Sequence, residues 1–222
     1  MDSQRPSSDV AFSHAVKQLQ SERGSRAAYA RMERQGGFET DVTDALRAFL
    51  AQVDTGFLAT ASADGQPYIQ HRGGPRGFIR ALDDRTLGFI DFAGNRQYIS
   101  TGNLTENDRV CLLLMDYSRR QRVKVWGTAR VVPVTEALHD ALALPGYRAR
   151  AEQVVLISVH AWDMNCPQHI PVKLDAADVQ GALDRLHARI AELEAENRRL
   201  RSAASLEGTT DVAAAGSSDQ GE

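Results

Sequence analysis

Cysteine is scarce in this chain: Cys111 and Cys166 are the only two in 222 residues. That excludes a disulfide framework and fits a reducing compartment. Cys111 lies in the apolar run Val110–Leu114, where a buried thiol is the simple expectation. Long apolar runs are also missing. No segment approaches the roughly 18 apolar residues of a helical membrane span, and the polar N-terminus lacks the apolar stretch of a secretory signal. Neither sign of charge dominates. The net charge of −3 gives no overall pull toward nucleic acid or a membrane surface. There is no P-loop, no G-x-G-x-x-G and no Ser-His-Asp order to defend. Arg119-Arg120-Gln121-Arg122 is a short basic patch that reads as solvated hairpin charge. With these absences a cytoplasmic protein is the expectation, and the chain, 42% hydrophobic and 25% charged, is long enough for one well-buried domain with appendages.

The hydrophobic period changes along the chain. Residues 1–8 are polar and are expected to be loose. From Val10 to Arg34 the spacing of Phe12, Val16, Leu19, Ala27, Ala28 and Tyr29 is helical, interrupted at Gly24 and ended by Gly36-Gly37. A second helix starts at the N-cap Thr43 and sets Leu46, Phe49, Leu50 and Val53 on one face. After that the pattern alternates. Gly56–Ala61 and Tyr68–His71 flank the turn signal Asp64-Gly65, and Phe78–Leu82, Thr86–Phe92, Arg109–Met115 and Arg122–Val132 follow. Short strands in series predict a mainly β domain, an antiparallel barrel or sandwich with helical additions. Thr135–Leu144 reads as a helix stopped by Pro145-Gly146, and Val154–Val159 as a last buried strand. In the tail, Val179, Leu183, Leu186, Ile190, Leu193, Asn197 and Leu200 alternate four and three apart. That is a heptad seam, either a homomeric coiled coil or an amphipathic helix lying on its own domain. The expected divisions are residues 1–40 (helical extension), 41–175 (barrel), 176–203 (heptad helix) and 204–222, whose Ala, Gly, Ser, Thr, Asp and Glu read as disordered.

Two patches carry the chemistry. Gly94-Asn95-Arg96-Gln97 follows a strand, and a guanidinium there can hold a phosphate through two parallel hydrogen bonds. Asn95 and Gln97 add neutral donors, and Arg80 on the preceding strand is expected across the hairpin from them. The other patch is Gln70-His71-Arg72-Gly73-Gly74-Pro75. On a strand His71 and Arg72 point to opposite faces, and the glycines permit close backbone approach. Together the patches suit a phosphorylated, planar, hydrogen-bonding ligand. Trp126, on one face with Lys124 and Arg122, reads as core more than as a stacking residue. Cys166-Pro167-Gln168-His169, with His160 upstream, leaves several readings open: a metal, a redox thiol, a segment near the ligand, or a rigid turn. Lacking a second ligand pair, it gives no metal assignment.

Three stretches resemble the FMN-binding split barrels of the pyridoxamine 5'-phosphate oxidase-like family: Phe89 to Gln97, Asn107 to Leu113, and Gln121 to Ala129. The resemblance spans about Phe49 to Val159. The patches Gln70–Pro75 and Asn165–Ile170 look like a subgroup of probable FMN-dependent enzymes more than the vitamin B6 oxidase, whose C-terminal substrate segment has no counterpart here. The resemblance implies an antiparallel Greek-key split barrel and a homodimer with FMN at the subunit interface. It also implies hydride transfer through flavin N5 to or from a small molecule. Arg96 matches the phosphate-binding arginine and Arg80 a basic position facing the phosphate. Gln97 stands where a lysine is usual, and Arg122 where a glutamine lies near the flavin ring. Gln70 and Gln168 become candidate donors to the ring or substrate, with His71 and His169 the candidates for proton transfer. The alternatives are a non-catalytic flavin- or haem-related binding protein and a reductase using the deazaflavin F420. No nucleic acid or membrane partner is expected.

Overall fold

The computed structural model describes residues 5–165 and 168–215, and the chain divides into two units, Met1–Val172 and Lys173–Glu222. In the first unit, helices α1 (His14–Glu22), α2 (Arg26–Arg34) and α3 (Asp44–Leu50) precede a seven-stranded antiparallel sheet. Its strands are β1 (Thr55–Ala61), β2 (Pro67–Gly73), β3 (Arg80–Ala81), β4 (Thr86–Phe92), β5 (Arg109–Asp116), β6 (Gln121–Val132) and β7 (Ala151–Asn165). Helix α4 (Ile99–Glu106) joins β4 to β5, and α5 (Glu136–Leu142) joins β6 to β7. The strand order is β2-β1-β5-β6-β7-β4-β3.

Alternation decides which face is core. Along β1, β5 and β6 every second residue is buried, and Leu58, Leu112, Leu114, Val123 and Val125 have no exposed surface. Helix α3 closes this core. Thr43 accepts the Leu46 N–H at 3.4 Å as its N-cap, and Leu46, Phe49, Leu50 and Val53 are all buried, as their spacing predicts. The β6–β7 ladder slips by one residue at Trp126/Gly127. A Cβ at Gly127 would stand 2.1 Å from the Ser158 carbonyl oxygen, so only glycine fits this bulge.

Several boundaries differ from the sequence reading. The expected strand Phe78–Leu82 shrinks to Arg80–Ala81, because Phe78 and Ile79 turn inward as core instead of joining a ladder. β7 extends well beyond Val154–Val159, through alternating residues with no long apolar run. The polar N-terminus is held at Ser7–Val10, a single 3-10 turn. Ser8 is fully buried there, and Ser7 Oγ donates to the carbonyls of Gly36 (3.0 Å) and Phe38 (2.5 Å). Phe38 carries this segment onto the sheet. It stacks on Trp126 with centroids 5.2 Å apart and meets Phe12 edge-on at 5.4 Å. Trp126 therefore packs against the chain's own extension.

In the second unit, helix α6 runs from Ala176 to Ala215. Asp175 opens it, its carboxylate accepting the Ala177 N–H at 2.9 Å. The backbone stays helical past residue 203, where composition predicted loss of order. Ala203, Ala204 and Ala213–Ala215 are strong helix formers, and Gly208 alone does not stop the run. No helix among the described residues is long and apolar enough to cross a membrane.

Candidate functional site

β2 begins the strand order, and β4 is separated from its other end only by the two-residue β3. Yet Arg72 of β2 and Asp91 of β4 form an ion pair, with side chains only 10% and 15% exposed. The sheet has curled until its ends meet, and a side-chain pair closes the gap. Asp91 is further held by Gln153 of β7, whose Nε2 donates to Asp91 Oδ2 at 2.9 Å and to Thr101 Oγ1 at 3.0 Å. The Arg72 guanidinium carbon lies 5.7 Å from the centre of the Phe89 ring. Its Nε is buried and has no partner among the described residues.

An open cleft of about 230 Å³ occupies this split. One wall is the face of β2 that carries Tyr68, Gln70 and Arg72; the other is Asp91 and Phe92 of β4 with Glu152 and Gln153 of β7. The floor is the turn Gly94–Gln97 and the first turn of α4, from Tyr98 to Thr101. Local chemistry shapes that turn. Asn95 Oδ1 accepts the Gln97 N–H at 3.2 Å. Arg96 (φ 58°) and Tyr98 (φ 54°) are both left-handed, an uncommon state for non-glycine residues that concentrates at functional sites. Tyr98 is the N-cap of α4 but offers it no side-chain cap, so the opening N–H groups of the helix remain for water or a ligand. The Tyr98 hydroxyl instead donates to Glu152 Oε1 at 2.8 Å, and that bond holds it protonated above its ordinary pKa of 10.0. Ser100 Oγ donates to Gln70 Oε1 at 2.7 Å, which leaves the Gln70 amide nitrogen as a donor. Arg96 is exposed and makes no ion pair among the described residues. Arg150, whose carbonyl accepts the Ala93 N–H at 3.0 Å, adds a second positive charge felt at Tyr98.

The cleft gathers Gln70, Asn95, Arg96 and Gln97 as expected, but not the other candidates. Arg80 does not converge on Arg96. It pairs with Gly88 in the ladder, which leaves it about 13 Å short of the end of β4 at roughly 3.3 Å per residue. Its guanidinium instead donates to the Ala141 and Ala143 carbonyls, both at 3.0 Å, and so ties down the C-terminal end of α5. His71 lies on the opposite face of β2 from Gln70 and Arg72, edge-on to Phe57 at 5.6 Å. Gly73 and Gly74 make room for the chain itself. A Cβ on either would crowd His71 Cε1 (2.8 Å) or Phe78 Cβ (3.0 Å). Arg122 is on the outer sheet face with Lys124, paired with Met115 and Asn165, and its Nε is buried without a partner among the described residues. Gln168 and His169 follow β7 in an exposed turn, with His169 left-handed at φ 61°. Cys166 lies outside the described residues. The sequence reading missed Asp91, Gln153, Thr101 and Arg150. Of these, Asp91 carried a signal: it is a lone carboxylate in an apolar strand, and such a group needs a partner.

No curated protein matches the chain. Solved structures similar to it include HupZ of Group A Streptococcus, 20% identical over 54% of this chain and 90% of that one, with a TM-score of 0.44. An FMN-binding protein of Syntrophomonas wolfei is 12% identical over 67% and 97%, with a TM-score of 0.43. An F420 reductase is 20% identical over 53% and 94%, with a TM-score of 0.39. The profile of the pyridoxamine 5'-phosphate oxidase family matches residues 42–166, more than half of the chain, and with its curled antiparallel sheet split along one seam the chain belongs to that family.

Proposed function

We propose that this chain is an FMN-dependent oxidoreductase acting on a small molecule, with the flavin phosphate held at the Gly94–Thr101 floor of the cleft. One observation carries the reading: the cleft combines an arginine that makes no ion pair among the described residues, an uncapped helix start and a neutral amide donor, while its two carboxylates are already bonded to neighbouring side chains. Asp91 is engaged by Arg72 and Gln153, and Glu152 accepts from Tyr98. Such a donor set fits a dianionic phosphate and disfavours a cation. Arg96 supplies the bidentate grip, with Arg150 close by. Asn95 fixes the turn through its bond to the Gln97 N–H, and Gln70 presents its amide nitrogen to the ring edge. Phe92 and Ile99 give the cleft apolar surface for the flat ring system. When bound, the flavin supplies hydride chemistry at N5 that no side chain has.

The remaining candidates support a homodimer. His71 and Arg122 lie on the outer face of the sheet, away from their own cleft, so one copy cannot bring them onto a flavin bound there. A two-fold dimer that sets the outer face of one copy against the cleft of the other brings them there, and its reciprocal symmetry makes two such sites. His71, with His169, is then the proton-transfer candidate offered to the partner's flavin, and Arg122 the charge beside its ring.

The test is mass spectrometry of the ligand released from purified full-length protein, followed by its reduction with NADH or NADPH. FMN in near-stoichiometric amount and turnover support the reading. Haem or F420 as the released species overturns the cofactor assignment. Bound FMN that no donor reduces overturns the enzyme and leaves a binding protein.

A further inference from the structure

We propose that residues 179–201 form a parallel, in-register, two-stranded coiled coil with a second copy of this chain. The starting observation is an unpartnered seam on α6. Leu186, Ile190 and Leu200 are 60%, 51% and 63% exposed, and the rest of the seam is exposed as well. A soluble helix does not leave such a stripe to water without a partner.

The spacing assigns the heptad. From Leu183 to Leu186 is three residues and from Leu186 to Ile190 is four, so Leu183, Ile190 and Asn197 occupy position a, and Val179, Leu186, Leu193 and Leu200 position d. Leucine at three of the four d positions with the β-branched Ile190 at a favours two strands, and a single asparagine at a fixes orientation and register. Once the seam is buried, Asn197 satisfies its amide by meeting Asn197 of the other copy, which requires the helices to be parallel and unstaggered. Antiparallel or shifted pairing sets it against leucine and leaves its amide unmet. It borders the same shallow groove as Ile190 and Leu193, where a facing helix would seat.

Charge complementarity selects the same arrangement independently. In a parallel pair, position g of one helix faces position e of the next heptad on the other. Here the g residues Arg189 and Glu196 face the e residues Glu194 and Arg201, so both contacts are of opposite sign. Arg189 now pairs within its own helix, to Glu192 at 2.9 Å, but both groups are more than 60% exposed and the arginine is free to exchange.

The inference is independent of the flavin. Leu183→Cys and, separately, Leu200→Cys are introduced into the full-length protein and oxidised beside the parent chain, with helix content checked by circular dichroism. The two sites are about 25 Å apart along the helix at 1.5 Å per residue. A parallel in-register pair gives a disulfide-linked dimer at both sites, above the parent background. A crosslink at one site only means antiparallel or staggered helices, a crosslink at neither means that α6 packs elsewhere, and a mass above that of a dimer in sedimentation equilibrium of the unoxidised protein means another assembly; each overturns the proposal. In the Leu183→Cys background, Glu194→Arg is expected to lower the crosslinked fraction at least 5-fold, and adding Arg189→Glu to restore it. No loss with Glu194→Arg removes the e/g basis of the register. Bound flavin stays unchanged throughout, so failure here is distinguishable from failure of the cofactor reading.

Discussion

Arg72 and Arg96 face one cleft with different electrostatic situations. Arg72 is paired, nearly buried and stacked on an aromatic ring, and its work is to close the seam between β2 and β4. Removing one partner of a buried pair strands the other charge, at a cost of about 3 kcal/mol. Asp91→Ala is therefore expected to lower the unfolding free energy by about that amount in a denaturant titration. A change within experimental error would show that the seam does not depend on the pair. Arg96 is exposed and without an ion-pair partner among the described residues, so its loss should leave folding alone and weaken the ligand. Arg96→Ala forfeits a charge-assisted bidentate contact of about 1.5–3 kcal/mol. The FMN dissociation constant, read by flavin fluorescence quenching, is expected to rise about 10- to 100-fold. The distinction between the two arginines was only partly legible. Period-two alternation puts His71 and Arg72 on opposite faces, but which face meets the cleft depends on how the sheet curls, and a single sequence does not encode that visibly. Arg80 was misplaced for a related reason. A hairpin was expected to bring it to the Gly94 turn, whereas the ladder register sets it beside Gly88.

At the level of elements, the N-terminal helices are tied by charge and docked by aromatics. Glu33 of α2 is reached by Arg26 and by Lys17 (3.1 Å), and Lys17 also bonds Asp9 at 2.5 Å. Burial pushes the Glu33 carboxyl up, but the hydrogen bonds and charges of Arg26 and Lys17 outweigh it and hold the group below its ordinary 4.5. A carboxyl held low contributes stability that is present above its unfolded value and lost as pH falls through the folded one. Lys17 is held above its ordinary 10.5, first by Asp9 and then by Glu33, so its contribution is present at neutral pH and lost as pH rises past the raised value. The extension is thus expected to loosen in acid below pH 4.5 and again in strong alkali. Trp126 stacks on Phe38, and Trp162 Nε1 donates to the Asp41 carbonyl at 2.7 Å, so tryptophan emission reports the change. Glu33→Gln should flatten the acid limb; an unchanged limb would assign the transition to another group. The β6–β7 bulge gives a second check. Gly127→Ala drives a methyl into the Ser158 carbonyl, and a loss of about 3 kcal/mol is expected in thermal unfolding.

For the whole molecule, periodicity made the strands, the α3 plug and the heptad seam readable, because each buries or presents a stripe whose spacing is set by local geometry. Closure was not readable. It rests on Arg72, Asp91 and Gln153, which are far apart in sequence and share no local pattern. Family resemblance supplied the architecture, and the profile match to residues 42–166 bears it out. In the proposed dimer, the roles of His71 and Arg122 on the outer sheet face depend on a second copy. The central claim is that the cleft recognises a flavin through its phosphate. The most direct measurement is a calorimetric comparison of FMN with riboflavin, which lacks only that group, on the wild-type protein and on Arg96→Ala. FMN is expected to bind wild-type protein at least about 100-fold more tightly than riboflavin, and the gap should narrow to about tenfold or less in the variant. Equal affinities for the two flavins, or a gap that Arg96→Ala leaves intact, would contradict it.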